Sequence, residues 1–216
     1  MSRENVHASQ RSVKIDTTYM SDQKRPYKMK RRAELEEQTR QRITESAVAL
    51  HGTLGPARTS VSAVAEHAGV RRSTVYRHFP DEEALFGACS AHWATENPPP
   101  DVEAWSRIAQ PDERLTTALG EMYAFYRDSE GMLANLLRDR TAVAVVDQLM
   151  GAYDQFMAAA VEILLAGRGL RGKAKGRTRA AIGHALEFST WRSLARGQGL
   201  DDAEAAALMS RLVAAA

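Results

Sequence analysis

An all-α chain, a small helix-turn-helix head followed by a larger helical body, is what this sequence predicts, and three observations predict it. Residues 60–79 write two short helices around a single glycine. Beyond residue 100 every hydrophobic pattern has helical spacing, and none alternates as a strand would. Between the two parts stands Asn97-Pro98-Pro99-Pro100, where consecutive prolines lack the amide hydrogens a helix needs.

Residues 1–32 carry nine Lys or Arg against Glu4, Asp16 and Asp22, a net charge of +6; with +2 for the whole chain of 216 residues, the remainder carries −4. The segment is polar, contains Pro26 and shows no sustained periodicity before Arg32, which predicts a disordered basic arm. Two readings of it stand. Lys24 to Arg32 can lie along phosphates or enter a minor groove, as arms ahead of DNA-binding helices do; or it is a solvated tail, with translation beginning at Met20 or Met29.

Over residues 34–54, Leu35, Ile43, Ala47 and Leu50 predict a long first helix, with Pro56 beyond its end. In the next segment Val61, Val64, Ala65 and Ala68 recur at i, i+3, i+4 and i+7, one apolar stripe. Gly69 supplies the turn, because glycine alone takes a left-handed backbone without steric penalty. On the following helix Arg72, Ser73, Tyr76 and Arg77 fall within an arc of roughly 140°, with Val75 opposite. One face can read DNA while the other packs.

A fourth helix over 82–95 sets Leu85, Ala88, Cys89 and His92 on one side. The body then predicts helices over 111–128, 132–138, 142–166, 179–196 and 201–214. Tyr123, Tyr126, Leu136, Met150, Tyr153, Phe156 and Met157 could line an apolar effector pocket between them or simply fill the core. Trp105 and Trp191 are equally ambiguous. Residues 168–179 mix Arg168, Arg171, Lys173, Lys175, Arg177 and Arg179 with glycines, which predicts a flexible solvated loop. In the last two helices Ile182, Ala185, Leu186 and Ser189 form one stripe, and Ala205, Leu208, Met209 and Leu212 another. Either stripe can close the monomer core or pair with a second copy.

Residues 47–85 resemble the tetracycline-repressor-like (TetR) family of bacterial regulators. The features run in order: a first helix ending near Leu50, Thr59 and Ser60 opening the second, Ala65, Gly69 and Val70 at the turn, Ser73-Thr74-Val75-Tyr76-Arg77-His78-Phe79, and Glu83-Ala84-Leu85. The resemblance implies a homodimer on a palindromic double-stranded DNA operator, with an unknown small-molecule effector in the body. It implies phosphate contacts by Ser60, Thr74, Tyr76 and His78 and base or groove contacts by Ser62, Arg72, Ser73 and Arg77. It also implies a dimer interface built from Ile182, Ala185, Leu186, Ser189, Leu208, Met209 and Leu212. One position departs from the family. Glu82 stands where relatives usually place a phosphate-binding lysine, so Arg71, Arg72 and Arg77 are expected to supply the attraction.

The side-chain chemistry agrees. Arginine can bridge guanine O6 and N7 with two hydrogen bonds, worth about 1–3 kcal/mol of discrimination, and Arg72 is the first choice for it. Hydroxyls such as those of Tyr76 and Thr74 hold phosphates and fix register.

Other classes find little support. No run of 18 apolar residues and no apolar leader core occur, so a cytosolic, nucleoid-associated protein without a membrane role is expected. The lone Cys89 reads as a small core residue. His51, His67, His78, His92 and His184 lack the spacing of a zinc site or a nucleophile with its base. No catalytic residue, metal or cofactor is therefore expected. The sequence divides into an arm (1–32), a DNA-binding head (33–95) and an effector-binding, dimerising body (96–216). A ligand-responsive repressor is the first expectation; a DNA-binding architectural or co-regulatory protein without an effector is the second.

Overall fold

The computed structural model describes residues 18–216, and among them there are ten α-helices and no strand. Contacts divide the chain into one unit ending at Gln41 and a second spanning Arg42–Ala216. The first contains the leading part of α1 (Thr18–Thr53). This helix begins well before the expected position. Its residues 18–32 therefore correct the expectation of a disordered arm there, while residues 1–17 of that arm lie outside the described residues. Lysine, arginine and methionine are good helix formers, and the charge of the lysines and arginines hides the periodicity by which a helix is recognised. Further along, Arg32 pairs with Glu36 one turn later at 3.1 Å.

The second unit holds the remaining helices: α2 (Val61–His67), α3 (Arg72–His78), α4 (Glu82–Glu96), α5 (Val102–Ser106), α6 (Pro111–Asp139), α7 (Ala144–Leu165), α8 (Gly172–Leu186), α9 (Phe188–Arg192) and α10 (Asp202–Ala214). Their starts follow local chemistry. Ser60 accepts from the Ala63 amide at 3.1 Å and Asp81 from that of Ala84 at 2.8 Å. Such caps satisfy amides that have no partner inside the helix. Pro111 opens α6 with Asp112 and Glu113 in its first turn, and Asp201 with Glu204 forms a reciprocal capping box on α10.

Two hydrophobic clusters result. Ile43, Val64, Val75, Phe79 and Leu85 centre the first, which also takes in Val146 and Met150 from α7. Trp105, Leu119, Tyr123, Tyr126, Leu164, Ile182 and Trp191 centre the second.

Three further expectations are corrected. The two helices expected over 111–138 are one, because the cost of Gly131 inside α6, about 1 kcal/mol, is outweighed by the buried residues on either side, Tyr126 and Leu133. The expected loop at 168–179 is structured at both ends. Arg168 donates to the Leu164 and Pro111 carbonyls and pairs with Asp112, and α8 already starts at Gly172, held down by buried Thr178 and Ile182. The helix expected over 179–196 breaks at Glu187, whose backbone is extended (ψ 133°), and ends in a π turn over Ser193–Gly197.

Candidate nucleic-acid interface and internal cavity

The turn between α2 and α3 is a left-handed glycine stop. Gly69 has φ 64°; its amide donates to the Glu66 carbonyl at 3.0 Å, and the Val70 amide reaches back to Ala65 at 2.9 Å. This double bond pattern caps the last carbonyls of α2 and turns the chain sharply into α3. Val75 is buried beneath α3, while Arg72, Ser73, Tyr76 and Arg77 are exposed together on its other side. Ser60, Ser62 and Arg71 are exposed as well, and Thr74 and His78 are half-buried.

Arg72 and Tyr76 are coupled within the protein. The guanidinium donates to the Tyr76 hydroxyl at 3.0 Å and lies 5.4 Å from its ring centroid. The arginine expected to read a base and the tyrosine expected to hold a phosphate thus form one preorganised pair. Ser60 accepts from Ala63 and keeps its own proton free to donate. At the start of α4, Asp81, Glu82 and Glu83 are all exposed.

Residues 43–89 match the family model described as bacterial regulatory proteins, tetR family. These residues form a TetR-family domain. No curated protein matches it by sequence. Three solved structures show the same fold. A TetR-like transcriptional regulator from Rhodococcus sp. RHA1 aligns at TM-score 0.59 and 20% identity, covering 81% of this chain and 93% of that one. A tetR-family regulator from Streptomyces coelicolor aligns at 0.57 and 21%, covering 83% and 80%. NalD, the secondary repressor of the MexAB-OprM multidrug efflux pump in Pseudomonas aeruginosa, aligns at 0.55 and 19%, covering 83% and 95%.

Behind the TetR-family head, α1, α4, α6 and α7 enclose a cavity of about 380 Å³. Of the residues expected to line a pocket, Leu136, Met150, Tyr153 and Phe156 reach it. Tyr123 and Tyr126 do not. They are fully buried, and their hydroxyls donate to the carbonyls of Ala185 (2.7 Å) and Leu186 (2.6 Å) at the end of α8. Met157 packs on the body core, its sulfur 3.8 Å from the Tyr126 hydroxyl.

Sequence reasoning missed the wall contributed by the head: His51 from the last turn of α1, and Phe86, Cys89, Ser90 and Trp93 from α4. The signal was present, since 86, 89, 90 and 93 share one helical face, but the stripe read there was the neighbouring one through Leu85 and Ala88. His51 stacks on Phe86 with ring centroids 4.4 Å apart, and burial lowers its pKa to about 4, so its ring is neutral near pH 7. Burial pushes the Cys89 thiol up to about 12. It stays protonated and unreactive.

A polar latch fixes the end of α1 to α6. Asn135 donates to the carbonyls of His51 and Gly52, each at 2.9 Å, and Arg138 to that of Leu54 at 3.0 Å. Asp139 accepts from the Ala57 amide at 3.0 Å and is bridged by Arg138.

The stripes expected at a dimer interface divide. Ile182, Ala185, Leu186 and Met209 are at most 5% exposed in the single protomer, so they are corrected to core residues. They close the helical body instead, through contacts of α8 with α7 and α10 and of α10 with α6. Ser189 and Leu212 are exposed and Leu208 half-buried. Among the described residues no cluster of metal-binding side chains occurs, and no helix is long and apolar enough to cross a membrane.

Proposed function

We propose that the protein is a homodimeric, effector-released repressor. Ser60, Ser62, Arg71, Arg72, Ser73, Thr74, Tyr76, Arg77 and His78 carry the operator contacts. Head and body divide near residue 95, and outward-facing Ser189, Leu208 and Leu212 contribute to pairing. One observation carries the reading: the cavity is walled by α1 and α4, which also pack into the hydrophobic cluster of the head. An occupant therefore touches the elements that support the reading helix, and it can favour a non-binding arrangement by its differential affinity for the two states.

Footprinting on the DNA flanking the gene tests the operator part. A protected palindrome is expected, and uniform weak protection without one would refute it. Sedimentation on a DNA-binding sample checks pairing; a micromolar monomer that still protects the palindrome contradicts it. The basic segment Lys24 to Arg32 is proposed to add phosphate attraction. An unchanged affinity and salt slope in a chain starting at Met29 would remove it from the mechanism.

A further inference from the structure

We infer that the cavity takes an uncharged, mainly aromatic or hydrocarbon molecule bearing one hydrogen-bond donor, a phenol or alcohol, which it gives to Nε2 of His51. The inference rests on the effector reading of the cavity and names its ligand class.

Charge decides the first part. No Lys, Arg, Asp or Glu is among the described residues that line the cavity, while Phe86, Trp93, Phe125, Tyr153 and Phe156 give it aromatic walls. A carboxylate or ammonium entering it would lose its hydration and meet no opposite charge.

The donor requirement follows from the proton count around His51. Asn97 commits one of its two amide hydrogens to the Trp93 carbonyl at 3.0 Å. Tyr126 has given its proton to Leu186, so across the 3.2 Å between the two hydroxyls Tyr153 is the donor. Cys89 gives its S–H to the Phe86 carbonyl at 3.2 Å, so across the 3.5 Å contact between Sγ and Nδ1 of His51 the imidazole is the donor. A neutral imidazole with its proton on Nδ1 carries a bare lone pair on Nε2. His51 is 4% exposed, and the described residues supply no hydrogen bond to that atom. An acceptor on an apolar cavity wall without a protein partner favours a ligand that brings a donor over one of equal shape that does not.

Calorimetry on the full chain near neutral pH, without DNA, tests this with para-phenylphenol, its methyl ether, biphenyl carboxylate and biphenylmethylammonium. The phenol is expected to bind best, the ether about tenfold more weakly, and the two ions not measurably. Ala152→Trp, placed on the cavity wall at an exposed position of α7, is expected to weaken the phenol at least as much as the ether substitution does. Equal affinity for phenol and ether, tighter binding of either ion, no binding of any probe, or indifference to Ala152→Trp would each overturn the inference. A phenol that binds as expected yet leaves the operator footprint intact would instead sink the effector reading while leaving the ligand class standing.

Discussion

The phenolic oxygens of Tyr126 and Tyr153 lie 3.2 Å apart, and the proton between them belongs to Tyr153, because Tyr126 donates its own to the Leu186 carbonyl at 2.6 Å. That carbonyl sits at the end of α8, where the helix stops and its last acceptors have no amide partner. Tyr123 serves the Ala185 carbonyl in the same way at 2.7 Å. A cavity-wall residue of α7 is thereby linked through α6 to the break between α8 and α9. Burial raises the pKa of all three tyrosines, so the relay stays protonated.

Tyr126→Phe is expected to destabilise the protein by about 1–3 kcal/mol, since it strands a buried carbonyl and removes the acceptor for Tyr153. Tyr153→Phe removes a single donor and should cost about 1 kcal/mol or less. Urea unfolding of the two variants compares them. Equal losses would mean that water replaces Tyr126 at Leu186.

Glycine substitutions should rank by surroundings as well as by backbone. Gly69 has φ 64° with open space where a Cβ would go, so Gly69→Ala should cost about 1–2 kcal/mol of backbone strain. Gly55 has φ 93°, and a Cβ there would run into the Arg138 guanidinium and the Asp139 carboxylate. Gly55→Ala should therefore lower the melting temperature more than Gly69→Ala. The reverse order would show that the latch on α6 moves aside freely.

Acid should weaken the fold through His51. Its pKa falls from 6.5 to about 4 on folding, chiefly by desolvation. Between those values the unfolded chain binds a proton that the folded one refuses, so the contribution is complete above pH 6.5 and is lost as pH falls towards 4. The full loss is about 3 kcal/mol. Asp139 adds a separate loss at lower pH: its hydrogen-bonded pairing with Arg138 holds its pKa below 3.8, and protonation cancels that gain. Urea titrations at stepped pH should show the first decline largely absent in His51→Gln. A variant curve parallel to that of the natural protein would assign the decline to other groups.

On DNA, Arg72→Ala should relax base preference at one position per half-site, by about 1–3 kcal/mol, whereas Tyr76→Phe should weaken all sites alike. Because Arg72 rests on the Tyr76 hydroxyl, a small loss of preference at the Arg72 position is also expected in Tyr76→Phe. Selection from a randomised operator library reads both effects. Uniform loss in both variants would remove the division of roles.

The head was legible in the sequence because its information is local. An eight-residue stripe, one left-handed glycine and capping residues at Ser60 and Asp81 fix α2, the turn and the start of α4 within a few residues of each determinant. The helical class of the body was legible for the same reason. Its boundaries were less so: polar Thr18 to Arg32 hid a helix, Ser129-Glu130-Gly131 interrupted the apolar pattern of α6, and the basic stretch before Arg179 imitated a loop.

Spacing along one helix identifies a buried face without naming what covers it. Ile182 and Leu186 therefore looked as fit for a second copy of the chain as for the core where they lie, and Tyr123 and Tyr126 looked as fit for a ligand as for the carbonyls of α8. Thus the sequence by itself determined an all-α chain with a TetR-family reading head. Tertiary structure alone decided that His51, Phe86 and Trp93 would meet Leu136, Met150 and Tyr153 around one cavity. Which helix faces which depends on contacts between residues far apart in the chain, and no local periodicity records them.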